Sequence, residues 1–214
     1  FDIDKWIKDY YYMHGIQSLV VGVSGGIDSA VVSTLCAKTG LPTYVVAMPL
    51  NSTHQNTRLS DLHTKQLAEK YENVTRVEVE LSSVYDSLLH SINWWSEAQQ
   101  FDRKEFTSDE LANANTKSRI RMVTLYQIAG AKKGIVVGTG NKVEDFGVGF
   151  YTKYGDGGVD ISPIADCNKT QVWELGKELG ILDEIIEAAP TDGLWDDGRT
   201  DEGQLGLKYE ELEE

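Results

Sequence analysis

The sequence lacks several features that define common classes of protein. It contains two cysteines in 214 residues, Cys36 and Cys167, and they lie far apart. This excludes a disulfide scaffold and a C-x-x-C site, and it predicts reduced thiols in a cytoplasmic protein. No apolar run approaches the roughly 20 residues that span a bilayer, so no membrane segment is expected. The first residues, which begin with Phe1 and not Met, predict an amphipathic helix and show no signal-peptide pattern.

Positive charge is also scarce. The chain has 20 Lys and Arg residues against 34 Asp and Glu residues, a formal net charge of −14. Such a field repels a phosphate backbone, which makes nucleic acid a poor partner. A polyphosphate ligand would need a few well-placed cations or metal ions. The acidic C-terminal segment 209–214 is expected to be a solvated helix end.

Apolar β-branched runs alternate with helical patterns along the chain. The predicted strands are 18–23, 43–48, 74–81 and 134–139, and the predicted helices are 27–39, 55–71, 84–95, 108–131 and a last one that Asn168 caps and Gly180 ends. Nearly all-apolar strands that alternate with helices predict an α/β fold, a doubly wound parallel sheet sandwiched by helices. There is no internal repeat or linker, so residues 1–214 are expected to form a single domain.

The loop after the first strand, 22–29, has the sequence G-V-S-G-G-I-D-S. Two consecutive glycines let the backbone approach a ligand, and the following helix offers its N-terminal amides. Ser24 and Ser29 add hydroxyl groups, so the loop predicts a phosphate site at the carboxyl end of a strand. Asp28 would repel phosphate unless a cation lies between them, which indicates a magnesium ligand.

Three other motifs overlap this loop. It fits the G-x-S-x-G pattern of a hydrolase nucleophile, but that triad needs a histidine late in the chain. All four histidines lie in the first half of this chain, within residues 14–90. No lysine follows the glycines as a Walker A loop requires, and the G-x-G-x-x-G spacing is absent. For the two glycines alone, a tight turn with a capping Ser or Asp remains open.

The S-G-G-x-D-S segment resembles the pyrophosphate loop of the ATP pyrophosphatases, which form adenylates. That group has a shared Rossmann-like fold and includes NAD synthetases, GMP synthetases, asparagine synthetases and tRNA-modifying enzymes. The loop alone therefore does not select the substrate.

Later segments resemble the NAD synthetase family. The sequence G-T-G-N-K-V-E at 138–144 is followed by F-Y-T-K-Y-G-D-G-G-V-D at 150–160. Both are similar to that family's signature and follow the fourth predicted strand. Further matches lie at 114–122, 163, 168–170, 190–191 and 200–206, so the resemblance covers most of the chain from Gly22 to Gly206. A basic H-K-R-type segment that usually ends the family's chains has no counterpart before Glu214.

The resemblance implies a role for each matching residue. The implied ATP-binding residues are Gly22, Val23, Ser24, Gly25, Gly26, Ile27, Asp28, Ser29, Thr139, Lys169 and Thr191. The implied magnesium ligands are Asp28 and Glu144, the implied catalytic residues are Asp28 and Lys169, and the implied dinucleotide-binding residues are Arg119, Lys153 and Asp160. Taken singly, Lys153 would be an ordinary surface lysine, Glu144 an exposed acid in a first helical turn, and Arg119 a partner of Asp109 or Glu110.

The resemblance also implies a reaction, the final step of NAD biosynthesis. An enzyme of this family adenylates the carboxylate of deamido-NAD with ATP, and ammonia then displaces AMP to give NAD. A carboxylate is a poor electrophile, so AMP serves as the leaving group and no enzyme nucleophile is needed. A glutamine-hydrolysing domain would require many more residues and its own nucleophile, so this chain by itself is expected to use free ammonia. The family further implies a homodimer, for which the striped helix 108–131 and Trp94 and Trp95 offer apolar surface.

Two alternatives stay open on the sequence. One is another ATP pyrophosphatase that acts on a purine nucleotide or tRNA, against which the acidic charge and the T-K-Y-G-D-G-G run count. The other is a non-enzymatic adenine-nucleotide sensor on the same scaffold. Asp28, Glu144 and Lys169 together favour catalysis, and release of pyrophosphate would separate the two.

Overall fold

The computed structural model describes residues 2–51, 54–189, 203 and 206–213. Within them a four-stranded parallel sheet has the order β3-β2-β1-β4. The strands are β1 Leu19–Val23, β2 Thr43–Ala47, β3 Val74–Glu78 and β4 Ile135–Val137. The predicted α/β class with a parallel sheet is confirmed.

Helices cover both faces of this sheet. They are α1 Ile3–Met13, α2 Ile27–Lys38, α3 His54–Lys70, α4 Ser82–Ala98, α5 Glu110–Ala131, α6 Lys169–Leu179, α7 Asp183–Ile186 and α8 Tyr209–Leu212, with a π-helix at Val143–Val148. None of the helices in the described residues is long and apolar enough to cross a membrane.

The two faces follow from the alternation of side chains along β1. Leu19 and Val21 point into the larger core, which they share with α1, α2, α6 and α7. Val20 points to the opposite face and packs with Met122 and Leu125 of α5. Successive residues of a strand face opposite sides of the sheet, so an apolar run buries both.

All four predicted strands are shorter in the structure, the first two by one residue each and the last two by three residues each. The predicted strand 74–81 ends at Glu78, and the predicted strand 134–139 is reduced to Ile135–Val137. After Val137 the chain leaves β1, because the N–H of Gly138 donates to the carbonyl of Ile161 at 2.8 Å. The helix predicted between Asn168 and Gly180 is confirmed, with a capping box at Asn168 and a left-handed Gly180 at φ 69°.

The strand order places β1 between β2 and β4, which is the last of the four strands along the chain. The chain connections on either side of β1 leave a crevice at the carboxyl ends of the strands. Ligands bind in such a crevice in open α/β sheets. The loops after β1 and β4 both lie there.

Candidate active site

A cleft of about 660 Å³ opens at the carboxyl ends of β1 and β4. Its volume suits a nucleotide-sized ligand. The whole loop from Gly22 to Ser29 lines it, together with Thr139, Glu144 and Lys169. The structure thus brings together all of the described residues for which the resemblance implies a role with ATP or metal. Thr191 lies outside the described residues.

The loop has a backbone that requires glycine at one position. Gly25 has φ +93°, a conformation that L side chains rarely adopt. A Cβ atom there would lie 2.6 Å from the carbonyl oxygen of Asn56 on α3. Gly25 therefore lets the loop pack against α3 while its peptide groups line the cleft.

The serines of the loop brace it from inside. The Ser24 N–H donates to Ser29 Oγ at 3.2 Å, and the Gly26 N–H donates to Ser24 Oγ at 3.2 Å. Gly26 is the N-cap of α2 and supplies no side-chain cap. Amides in the first turn of a helix have no intrahelical acceptor, and the helix dipole is positive there. The loop is consequently suited to bind an anion such as a phosphate.

Three charged side chains converge beside this loop. The ammonium of Lys169, the first residue of α6, donates to Asp28 Oδ2 at 2.5 Å and to Glu144 Oε1 at 3.0 Å. The Lys169 side chain is only 2% exposed. Burial lowers the pKa of Lys169, but the two carboxylates outweigh it and raise that pKa overall. Burial raises the pKa of the Asp28 carboxyl, and the Lys169 ammonium offsets part of that rise.

Asn141 connects the two acids. It is completely buried, and its Nδ2 donates to Asp28 Oδ1 at 3.1 Å. Its Oδ1 accepts from the backbone N–H groups of Val143 and Glu144, at 3.0 and 3.1 Å. One amide side chain therefore orients Asp28 and also holds the turn that carries Glu144.

The C-terminal segment also enters the site, which contradicts the expected solvated helix end. Tyr209 is 1% exposed, and its hydroxyl donates to Glu144 Oε1 at 2.7 Å. Glu213 accepts from the backbone N–H of Thr170 at 3.0 Å and from its hydroxyl at 2.6 Å. Glu211 is nevertheless exposed, and Leu212 and Glu213 are only partly buried. The expectation therefore fails for Tyr209, because composition alone does not reveal that this ring packs against Trp173 of α6 and bonds to Glu144 of the π-helix.

The three residues predicted to bind the dinucleotide lie outside this cleft, near its opposite side. Arg119 on α5 donates through Nε to the carbonyl of Lys153 at 3.0 Å. The Lys153 ammonium lies 5.0 Å from the centre of the Tyr154 ring. These side chains are exposed, at the outer surface of α5.

Asp160 has structural partners as well. Its Oδ2 accepts from the N–H of Val136 at 2.7 Å, and its Oδ1 accepts from the Tyr126 hydroxyl at 3.1 Å. Burial and the charge of Asp160 raise the pKa of Tyr126 to about 12, so the phenol remains a donor at neutral pH. Asp160 thereby joins the edge of β4 to α5.

A shallow depression lies beside these residues. It is lined by Met122, Val123, Tyr126, Gln127, Tyr154 and Gly158. Met122 also lines the large cleft, so this side chain borders both hollows. A ligand that extends past Met122 would contact both.

Four residues of the site had no role in the sequence-based interpretation: Arg121, Asn141, Asp145 and Tyr209. Arg121 lines the cleft and donates through Nε to the Met48 carbonyl at 3.3 Å. Burial, helped by the charges of Glu144 and Asp156, raises the pKa of Asp145 to about 6. Asn141 and Asp145 follow β4 directly, a position that could have drawn attention to them. Tyr209 gives no comparable sequence signal.

The fold and the site define a nucleotide-binding α/β enzyme that can hold a polyphosphate beside two carboxylates and a buried lysine. A family model described as NAD synthase matches residues 2–214. The chain therefore belongs to the NAD synthase family and is a ligase.

Individual relatives agree with this family. The chain is 36% identical over 214 residues to the NH(3)-dependent NAD(+) synthetase of Finegoldia magna, covering 100% of this chain and 81% of the relative. It is 38% identical over 209 residues to the enzyme of the same name from Sulfolobus acidocaldarius, with 98% and 69% covered.

Solved structures share the fold. An NMN synthetase from Francisella tularensis superposes with a TM-score of 0.84 at 34% identity, covering 98% of this chain and 81% of that one. The NH3-dependent NAD synthetase of Campylobacter jejuni has a TM-score of 0.73 at 27% identity, covering 86% and 73%.

Proposed function

We propose that the chain is an ammonia-dependent NAD synthetase that converts deamido-NAD, ATP and ammonia into NAD, AMP and pyrophosphate. The observation that carries the proposal is the position of Lys169 between Asp28 and Glu144, beside a glycine-rich loop in a nucleotide-sized cleft. Family membership supports the same reaction.

In the first step, the nicotinate carboxylate of deamido-NAD attacks the α-phosphorus of ATP. The new bond joins a carboxylate oxygen to that phosphorus, and the bond to the leaving pyrophosphate breaks. Such a transfer depends on alignment and on neutralising the charge that leaves. The amides of the loop 22–29 and the Lys169 ammonium would supply this neutralisation.

Ammonia then attacks the acyl carbon of the adenylate. The new C–N bond forms, the C–O bond to AMP breaks, and a proton leaves the nitrogen. No covalent enzyme intermediate is required, and so no nucleophilic side chain has to be assigned.

Asp28 and Glu144 fit the proposed magnesium ion. Both carboxylates bond to one ammonium, so they are close enough to share a cation. Carboxylate oxygens are the ligands that Mg²⁺ prefers, and it is commonly bound by one or two of them together with substrate phosphates. When bound, the ion would neutralise charge on the phosphates.

The shallow depression beside α5 is the proposed place of the dinucleotide. Arg119 and Lys153 lie at this side and could neutralise its phosphates, and the ring of Tyr154 offers a stacking face. Asp160 would act indirectly, because Val136 and Tyr126 occupy its two oxygens. The nicotinate end could then reach the ATP cleft past Met122.

Assembly as a homodimer is part of the same proposal. Val123, Tyr126 and Tyr154, which line the shallow depression, are 70%, 39% and 71% exposed. Trp94 and Trp95 add exposed aromatic surface on α4, and a second copy could cover such a face. Sedimentation should give twice 23.8 kDa, and a monomer at working concentration would refute the dimer.

The similarity to an NMN synthetase favours one second candidate, amidation of nicotinate mononucleotide. The two substrates share the reacting carboxylate and differ in the adenylate half. Measuring kcat/KM for each substrate with ATP, magnesium and ammonium decides between them. A higher value for the mononucleotide would replace deamido-NAD as the substrate and leave the chemistry unchanged.

The first experiment follows NAD, AMP and pyrophosphate together, with deamido-NAD, ATP, magnesium and ammonium. All three should appear in equal amounts, and Asp28→Asn should abolish them. The matched control is Asp86→Asn, which changes an exposed acid on α4. AMP and pyrophosphate without NAD would mean that the acceptor is wrong. Glutamine supporting turnover as well as ammonium would refute the proposed nitrogen source.

A further inference from the structure

Tyr209 touches two of the three charged groups at the site. Its hydroxyl donates to Glu144 Oε1 at 2.7 Å, and the Lys169 ammonium lies 4.9 Å from the centre of its ring. An ammonium at this distance is attracted to the face of an aromatic ring. A single side chain that is almost completely buried therefore contacts both the anion and the cation.

Glu144 receives two donors on the same oxygen. Oε1 accepts from the Tyr209 hydroxyl at 2.7 Å and from the Lys169 ammonium at 3.0 Å. Two donors on one oxygen fix the rotation of the carboxylate and hence the direction of Oε2. The other acid also has two donors, but on different oxygens, because Asp28 accepts from Lys169 on Oδ2 and from Asn141 on Oδ1. Each carboxylate thus shares the lysine and has one neutral donor of its own.

The tyrosine is itself held in place by α6. The ring of Trp173 meets the Tyr209 ring edge to face, with 6.1 Å between their centres. One turn later, Glu213 bonds to the N–H and the hydroxyl of Thr170, the residue after Lys169. The segment 209–213 is therefore attached at both ends to the helix that begins with the lysine.

We propose that Tyr209 is a positioning residue for the proposed adenylation, orienting Glu144 toward the metal ion and confining the Lys169 ammonium. Partners that orient a metal ligand typically change metal affinity or activity by about 10- to 100-fold when they are removed. The inference rests on the proposed function for the metal ion and for the activity readout, whereas the contacts of Tyr209 belong to the chain itself.

Tyr209→Phe tests this, because it removes the hydroxyl and keeps the ring. The probe is Mn²⁺ alone, titrated without nucleotide and followed by the loss of the free-ion signal in electron paramagnetic resonance. We expect the Kd for Mn²⁺ to rise about tenfold. In the product assay, kcat should fall by a similar factor, while KM for ATP stays within about threefold, since the loop 22–29 is untouched.

Thr170→Val is the matched control for a merely structural role. It removes the hydroxyl anchor of α8 without touching Glu144. Its Kd for Mn²⁺ should stay within about twofold of the unchanged chain. Equal weakening by Tyr209→Phe and Thr170→Val would mean that Tyr209 only docks the helix, which overturns the proposal.

A double-mutant cycle provides the second test. If the phenol acts through Glu144, adding Tyr209→Phe to Glu144→Gln should not weaken Mn²⁺ binding further. Additive losses, or a Tyr209→Phe chain with unchanged Mn²⁺ affinity and kcat, would overturn the proposal, as would an unchanged chain that binds no Mn²⁺. Failure of the proposed function would differ from these results, because the unchanged chain would then form no NAD.

Discussion

Replacing Lys169 with methionine is the change that tests the charge balance of the site most directly. Methionine keeps much of the apolar stem and removes the ammonium. Asp28 and Glu144, whose side chains are 17% and 15% exposed, would then face each other with no cation between them. Removing one partner of a buried ion pair leaves an uncompensated charge and costs about 3–5 kcal/mol.

A loss of this size is measurable. For a domain of roughly this length, 1 kcal/mol shifts Tm by about 2–4 °C, so the variant should melt about 6–20 °C lower near pH 8. The free energy of unfolding is measured by urea denaturation in EDTA, so that no metal ion replaces the ammonium.

The loss should also depend on pH. Burial already raises the pKa of Asp28, and removing the ammonium raises that pKa further. An acid with a raised pKa in the folded state destabilises the fold when it is ionised, and the cost disappears as pH falls and the acid is protonated. In the unchanged chain, the raised pKa of Lys169 contributes stability that is complete below about 10.5 and is lost only above it. The difference between the two chains should therefore be largest near pH 8 and smaller at pH 5.

Lys177→Met is the control, because it makes the same substitution at an exposed position of α6. Its effect should stay within about 0.5 kcal/mol at either pH. A Lys169→Met chain that loses less than about 1 kcal/mol at pH 8, or that loses equally at both pH values, would refute the reasoning.

Other predictions concern the surroundings of the loop. Burial lowers the pKa of His63 to about 4, so the free energy of unfolding of the native chain should fall by up to about 3 kcal/mol as pH falls from 6.5 toward 4. Urea denaturation of His63→Gln should show no such decrease over this pH range, and a decrease that persists would point to another group. Gly25→Ala should cost about 1–3 kcal/mol and weaken ATP binding in calorimetry, because of its positive φ and the nearby Asn56 carbonyl; unchanged ATP affinity would contradict this. Burial raises the pKa of Cys36 to about 12, so a thiol reagent should modify it only after denaturation; rapid modification of the native chain would show that it is accessible.

The sequence predicted the scaffold well because local patterns determine it. The helix between Asn168 and Gly180 has its cap and its terminating glycine in the sequence, and both form as expected. The loop 22–29 is continuous in the chain, so its place at the end of β1 followed from the strand. The end of β4 was less predictable, because the competing partner of Gly138 is Ile161, far along the chain.

The parts of the site that could not be predicted depend on long-range packing. Asn141 lies in a recognised motif, but its bond to Asp28 joins residues 113 positions apart. Tyr209 occurs in an acidic segment whose composition indicates solvent exposure, and its bond to Glu144 joins residues 65 positions apart. The dinucleotide roles of Arg119, Lys153 and Asp160 remain predictions.

The position of β1 between β2 and β4 has a consequence for how the enzyme comes to be active. The segment from β1 to β3 has mostly local connections, whereas the contact of Asp28 with Asn141 closes a loop of more than a hundred residues, and the entropy lost in closing a loop grows with its length. Chains emerge from the ribosome N-terminal end first, and domains tend to fold as units during synthesis. A nascent chain that has made only β1 to β3 possesses the phosphate loop and lacks Glu144 and Lys169. Under the proposed reaction, the ability to adenylate would therefore arrive last, and an unfinished chain would not consume ATP.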